Sequence, residues 1–482
     1  MKQITGHVKI FKILVKVSII ITFISFLLLL TGCPRHIDSL YGVKVTGDGT
    51  GGAIAVYEEK LGGPVYAQKI SPAGEVLWGE ESVLGTNPDS KSYAFQNIQI
   101  VADNSGGAII AWWVALVGSE RIPVYQLFKL DSNGKRLWQR DVGPVSQLLS
   151  DGAGGVILEY TNVNDNIAVN RIDANGNYPW CENGIVLPRS VNIQQIASDG
   201  FGGAVLAWLE SQRPPEAITG ETISTGRIYA QKINGEGQLE WGDGVLLYTT
   251  LEDTFTESPQ ITGDGSGGAI VVWHQVPRGR IEDGSPKVYM MDILAQKVDA
   301  GGNALWRENG LPLEINKAGG RAHPIEPKPV SDGAGGVIIV WRDMRNAAGT
   351  TANLYAQRVD ADGNIMWQPG GINVSADAIN PNHMIVSDGS GEAFVSYFFL
   401  ESRKDLHVQK MTGDGKTLWV ENGVQVNGVD YSGYSIASDG LGGIIIGWGV
   451  NGGTFSPDKA CVQRVGSDGN PLWGKEGIRL NP

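Results

Sequence analysis

Carboxylates and glycines recur in this chain at spacings that invite a metal-binding reading. Asp-Gly pairs stand at Asp48, Asp151, Asp199, Asp264, Asp332, Asp388 and Asp439, with Asp103 in the same place before Asn104, at intervals of 48 to 68 residues. A second set follows each of them, as in Asp173-Ala174-Asn175-Gly176-Asn177 and Asp360-Ala361-Asp362-Gly363-Asn364. A calcium loop needs ligands at alternating positions and a closing Glu, and no copy provides that spacing. The expected role is therefore structural: Asp accepts nearby backbone N–H groups, and Gly enters the positive-φ region that reverses a hairpin.

Groups outside these turns that could meet a ligand are Glu210, Arg213, His274, Arg278, Arg280, His323, Arg342, Asp343 and Arg345. Arg342 and Arg345 carry planar donor pairs suited to a carboxylate, sulfate or phosphate. Asp343 could equally pair with either Arg, and Glu210 with Arg213. The histidines, including His383 and His407, form no HExxH or other short ligand cluster, and Walker A, dinucleotide and G-x-S-x-G motifs do not occur. No catalytic residue, metal or cofactor is expected. After Cys33 only Cys181 and Cys461 remain, so this is no disulfide scaffold.

The elements that position these groups are copies of one unit. It reads as a strand ending at the Asp-Gly turn, a strand Gly-Gly-apolar-apolar-apolar-Trp, a loop, a strand such as Tyr355-Ala356-Gln357, a Gly turn and a fourth strand with Trp at its end. Trp78, Trp138, Trp180, Trp241, Trp306, Trp367, Trp419 and Trp473 occupy one equivalent position in all eight units. A second column holds Tyr57, Trp112, Tyr160, Trp208, Trp273, Trp341, Tyr397 and Trp448. Large rings at repeated places are what packing between twisted sheets requires, so both columns are expected in the core. Four short strands at this period predict an all-β fold, an eight-bladed β-propeller of four-stranded antiparallel blades. It would span residues 40–482.

With the first strand innermost, the short turns lie on one face, and the loops between strands two and three join the blade connections on the other. The loops after Trp208 and Trp273 are about twice the usual length, and the sixth unit carries insertions at residues 342–353 and 314–328. Insertions in consecutive units gather on one side of one face, as grafted function often does.

The first residues carry an address. Lys2, Lys9, Lys12 and Lys16 precede a 14-residue apolar run, residues 17–30, shorter than the roughly 20 residues of a membrane span. The run ends in Leu30-Thr31-Gly32-Cys33, which resembles the lipobox of bacterial lipoproteins. The resemblance implies a cleaved signal peptide, residues 1–32, lipid on Cys33 and a tether over 33–39, anchored through two or three acyl chains. Cleavage removes four Lys and no acid, leaving 34 basic against 51 acidic side chains and a formal charge of −17. That balance opposes nucleic acid as a partner.

The repeats resemble those of glycine- and tryptophan-rich β-propellers of bacterial exported proteins. Residues 360–367 are also similar to the Asp-box of sialidase-type propellers, although Asp362 and Gly363 are adjacent and Trp367 lies four residues beyond the Gly. These resemblances imply architecture rather than a biochemical class. The expected protein is a monomeric, lipid-anchored, extracytoplasmic module that binds an envelope protein or a glycan through the long-loop face of units four to six. The alternatives are an extracellular polysaccharide hydrolase or lyase, needing acidic groups or a Tyr or His base at the axial mouth, and a structural envelope component.

Overall fold

Short Val- and Ile-rich runs, buried almost throughout in second strands such as Ala53–Glu58 and Val337–Asp343, pair into eight antiparallel sheets in succession, arranged as an eight-bladed propeller. The computed structural model describes residues 43–480 apart from 59–63, 80–82, 87–97, 118–121, 163, 165, 188–194, 213–224, 251–253, 257–258, 278–290, 314, 316–323, 346–350, 376, 401–404, 428–432 and 454–455. Cys33, Arg213, Arg278, Arg280 and His323 lie outside the described residues. So does the signal segment.

Blade six shows the pattern. Pro324–Ser331 lies innermost and Val337–Asp343, Asn353–Val359 and Ile372–Asn373 follow outward, with Ser331 opposite Val337, Trp341 opposite Tyr355 and Ala356 opposite Ile372. Six of the eight sheets have four strands. Blade three has three, its fourth position reduced to a bridge between Val169 and Ile185. Blade five gains a fifth, Thr254–Thr256, which pairs with the far end of Ala269–Pro277.

The aromatic column of strand two fills the space between neighbouring sheets. Trp341, fully buried, packs with Ile270 and Val272 of blade five and with Ile339 and Tyr355 of its own blade. The other indole column stands elsewhere than at the end of strand four. In most blades its Trp occupies the bend before the outer strand, as Trp78 does before Val83–Thr86, and only Trp138 lies inside a strand, Arg136–Val142. A bend there lets the ring reach across to the next blade.

Each of these eight indoles donates its Nε1–H to a carbonyl in the Gly turn of the following blade, at 2.9 to 3.2 Å: Trp78 to Ser132, Trp138 to Ala174, Trp180 to Gly235, Trp241 to Ala300, Trp306 to Ala361, Trp367 to Gly413, Trp419 to Ser467 and Trp473 to Pro72. The turn glycine lies under the ring. At Gly363, φ is 86° and an added Cβ would sit 2.9 Å from Trp306. Glycine is required there both for conformation and for space.

The last of these contacts joins blade eight to blade one and closes the ring. Val45 donates its N–H to Ser435 Oγ at 3.0 Å, that hydroxyl donates to the Val43 carbonyl at 2.9 Å, and Gly51 N–H reaches the Asp439 carbonyl at 3.1 Å. Val45, Ala55 and Tyr57 share one buried cluster with Ile445, Val462 and Trp473. Strand Lys44–Gly47 is the inner strand of blade one and Ile478–Leu480 the outer strand of blade eight, so among the described residues no strand is exchanged between them.

Candidate functional site

The two ends of the blades carry different chemistry. At the turn end, each turn aspartate takes backbone N–H groups two and four residues on, as Asp332 Oδ1 does from Ala334 at 2.8 Å and Gly336 at 2.7 Å. Its other oxygen faces a cation on strand three of the same blade. The pairs are Asp48 with Lys69, Asp103 with Lys129, Asp151 with Arg171, Asp199 with Lys232, Asp264 with Lys297, Asp332 with Arg358, Asp388 with Lys410 and Asp439 with Arg464, at 2.8 to 3.9 Å. Several of these cations also donate to the next blade, Lys69 to Gly106 O, Lys129 to Gly154 O and Lys297 to Gly335 O, at 2.7 to 2.8 Å.

Burial pushes the carboxyls of Asp48 and Asp103 up, but hydrogen bonds from Thr50 and Gly52, and from Ser105 and Gly107, with Lys69 and Lys129 nearby, outweigh it. Both titrate below the ordinary aspartate range. The second turns are built alike: Asp173 Oδ1 accepts from Asn175 N at 2.9 Å and Asn177 N at 2.8 Å. These carboxylates serve the turns. Among the described residues no three His, Cys, Asp or Glu converge on a common point.

The strand-three glutamines complete the turn end. Gln357 Oε1 accepts the backbone N–H of Trp367 at 3.0 Å while its amide donates to the Gln368 carbonyl at 3.0 Å, and Gln231, Gln296, Gln409 and Gln463 repeat this. Neither the cation column nor the glutamine column was read from sequence as having a role. Their signal was a basic residue at one place on strand three of every unit, preceded by Gln in six of the eight and by Phe128 and Asn170 in the others.

At the opposite, loop end the chemistry is particular to individual blades. Glu210 is half-buried on strand two of blade four, opposite Arg227. His274 is buried on strand two of blade five, opposite Ile293. In blade six Asp343 is fully buried, accepts the Trp341 indole N–H at 3.1 Å and forms an ion pair with Arg345 Nη2 at 2.6 Å. The Arg345 guanidinium lies 4.1 Å from the Tyr355 ring centre, a cation–π contact. Arg342 points to the other side of the same strand and meets Glu326, one Nη reaching both carboxylate oxygens at 3.1 Å. The local ion pair of Asp343 is thus with Arg345, and Glu326, which the sequence did not single out, holds Arg342.

In blade seven the inner strand is bulged between Ile379 and His383, and His383, Tyr397 and His407 stand opposite one another across three strands. Tyr397 is buried and desolvation pushes its hydroxyl well up; burial lowers His407, whose Nδ1 lies 3.0 Å from the Asn422 carbonyl. Cys461 is buried opposite Trp448 and Cys181 is exposed. Inner strands are also tied blade to blade near the axis: Gln99 donates to Ser146 O at 3.2 Å and Lys328 to His383 O at 2.5 Å.

No family model matches the chain, and no curated protein does. Among solved structures it is similar to the polysaccharide lyase Uly1, at 9% identity and a TM-score of 0.44 over 82% of this chain and 93% of that one. It is similar also to prolyl oligopeptidase B from Galerina marginata, at 10% identity and a TM-score of 0.44, the match covering 86% of this chain and 55% of the peptidase. An α-L-arabinanase from Penicillium chrysogenum follows at 12% identity, a TM-score of 0.32 and coverage of 77% and 91%. Likenesses this distant carry no activity over to this chain.

Proposed function

We propose that the chain is a lipid-anchored, extracytoplasmic binding propeller that meets a protein or a glycan through the loop end of blades four to six. In this reading residues 1–32 are a cleaved lipoprotein signal peptide, Cys33 is lipidated, 33–39 form a short tether and 40–482 the propeller, which acts as a monomer at the bacterial membrane.

One observation supports it above the others. Turn-end charged and aromatic groups recur in every blade and bond one blade to the next, whereas the loop end of blades four to six gathers Glu210, His274, Arg342, Asp343 and Arg345 just beyond the strand-two aromatic, where blades three, seven and eight have Thr161, Phe398 and Gly449 and blade one has Glu58. A repeated feature serves the ring; an unrepeated one is where a scaffold differentiates.

Two experiments test the reading. The full chain expressed in a bacterial host should fractionate with membranes and lose that partition on Cys33→Ser; a variant that stays membrane-bound overturns the anchor. Ligands captured on a glycan array or from envelope extracts should be lost when the loops after Trp208 and Trp273 are shortened. Unchanged capture overturns the loop-end site. Release of unsaturated or reducing sugar ends from a captured polysaccharide would replace binding by the hydrolase or lyase reading.

A further inference from the structure

Glu326 reaches Arg342 through an unusual backbone. Its strand, Pro324–Ser331, is bulged between Ile325 and Lys328, and Glu326 sits at φ 54°. The other non-glycine residues of positive φ among those described are Asn104, Asn309 and Asn422. Asparagine adopts that region readily, whereas for glutamate it costs about 1 kcal/mol. Bulges re-aim side chains, and local strain of this kind gathers at functional sites.

The pair it makes differs from the eight at the turn end. There the aspartate is almost wholly buried and fastened by backbone N–H groups. Here the Glu326 side chain is 40% exposed while that of Arg342 is 9% exposed. Both oxygens of Glu326 lie on a single Nη, and Arg342 Nε is buried with no hydrogen-bond partner among the described residues. A guanidinium binds a carboxylate best along an edge, with two parallel N–H donors, and Glu326 leaves Nε out.

We propose that Arg342 anchors the carboxylate of a compact ligand, and that Glu326 is an intramolecular stand-in which that carboxylate displaces. The incoming group would take Nε–H together with Nη–H, and Glu326 would turn to solvent, relieving its backbone. The formal charge of the whole chain, −13, repels polyanions, so a single carboxylate fits better than a run of them. This inference rests on the loop-end binding reading and names the chemistry recognised there. The carboxylate could be free or belong to a sugar acid.

The test is calorimetric titration of the full chain, of Glu326→Gln and of Arg342→Met with acetate, D-glucuronate and, as the neutral control, D-glucose. Removing a competitor that occupies the guanidinium nine-tenths of the time strengthens apparent binding about tenfold. Glu326→Gln should therefore bind at least one acid about tenfold more tightly than the parent, and Arg342→Met should bind neither. Equal affinities of Glu326→Gln for the two acids indicate a free carboxylate; tighter binding of glucuronate than of acetate indicates a sugar acid. Arg342→Lys keeps the charge without the two-donor edge, and should also lose the gain when combined with Glu326→Gln. The proposal is overturned if Glu326→Gln binds neither acid more tightly, or if acid binding survives both Arg342 substitutions. Loss of capture on loop shortening without any such effect would leave the loop-end reading standing and remove only the role of Arg342.

Discussion

Replacing Trp473 by alanine distinguishes a closed ring from a linear stack of blades. The side chain is 5% exposed, its Nε1–H lies 3.2 Å from the Pro72 carbonyl of blade one, and a Cβ on Gly74 would come within 3.0 Å of its ring. Burying a Trp removes about 150–250 Å² from water, worth roughly 4–6 kcal/mol at about 25 cal/mol per Å². Trp→Ala at such sites costs about 3–5 kcal/mol. Trp306 makes the same contact in mid-chain, to Ala361 O at 3.1 Å, and serves as the reference. In a closed ring the two substitutions destabilise alike, to within about 1 kcal/mol. In a stack whose ends do not meet, Trp473 would already face water and its loss would cost under about 0.5 kcal/mol. Urea unfolding followed by far-ultraviolet circular dichroism, at unchanged slope, measures both. A near-parental midpoint for Trp473→Ala beside a strongly lowered one for Trp306→Ala would refute closure through this seam.

Three further outcomes follow from the turn end. Asp103→Ala strands the buried Lys129 and removes the acceptor of Ser105 and Gly107 N–H, so it should cost about 3–5 kcal/mol in urea unfolding; a loss under about 1 kcal/mol would show that the pair is dispensable. Gly363→Ala must accommodate both φ 86° and the indole of Trp306, whereas Gly389→Ala at φ 79° meets nothing within 4 Å. The first should lose at least twice the roughly 1 kcal/mol expected of the second, and equal losses would count against the indole contact. Asp48 and Asp103 titrate lower folded than unfolded, so the unfolded chain takes up protons first as pH falls. Their contribution is whole above the ordinary aspartate value and is lost as pH drops through the folded values, so the urea midpoint should fall between pH 4 and pH 3. A midpoint that rose over that interval would contradict the sign.

Much of the scaffold was legible because it is written eight times. A Trp at one place in every unit has to serve the ring, and the Asp-Gly pairs declare turns by themselves. The placement of that Trp was less legible: periodicity assigns it to the repeat, but whether it ends a strand or occupies the bend before one depends on the twist that carries the ring over to the next blade's glycine. The cation of strand three was visible in every unit, as Lys129 or Arg358, yet its aspartate partner lies some 25 residues away and meets it only when strands one to three are paired. For the candidate site, Arg342, Asp343 and Arg345 stood out by their clustering in one insertion, and local pairing of Asp343 with either Arg was foreseeable.

Composition, period and turn chemistry thus determined the fold class, the number of blades and the residues of the core, since these depend on local patterns that each unit repeats. What tertiary structure alone decided was which Arg belongs to which carboxylate and how the ends meet. Asp343, the last residue of its strand, takes Arg345 because the turn that follows brings the Arg345 backbone N–H and guanidinium back onto its carboxylate, while Arg342, on the other face of the strand, finds Glu326 on a bulge of the neighbouring strand, a backbone distortion that leaves no mark in residue order. Closure likewise arises from Trp473 and Ser435 meeting blade one across nearly the whole chain length, a contact between distant residues that only the curvature of the assembled ring brings together.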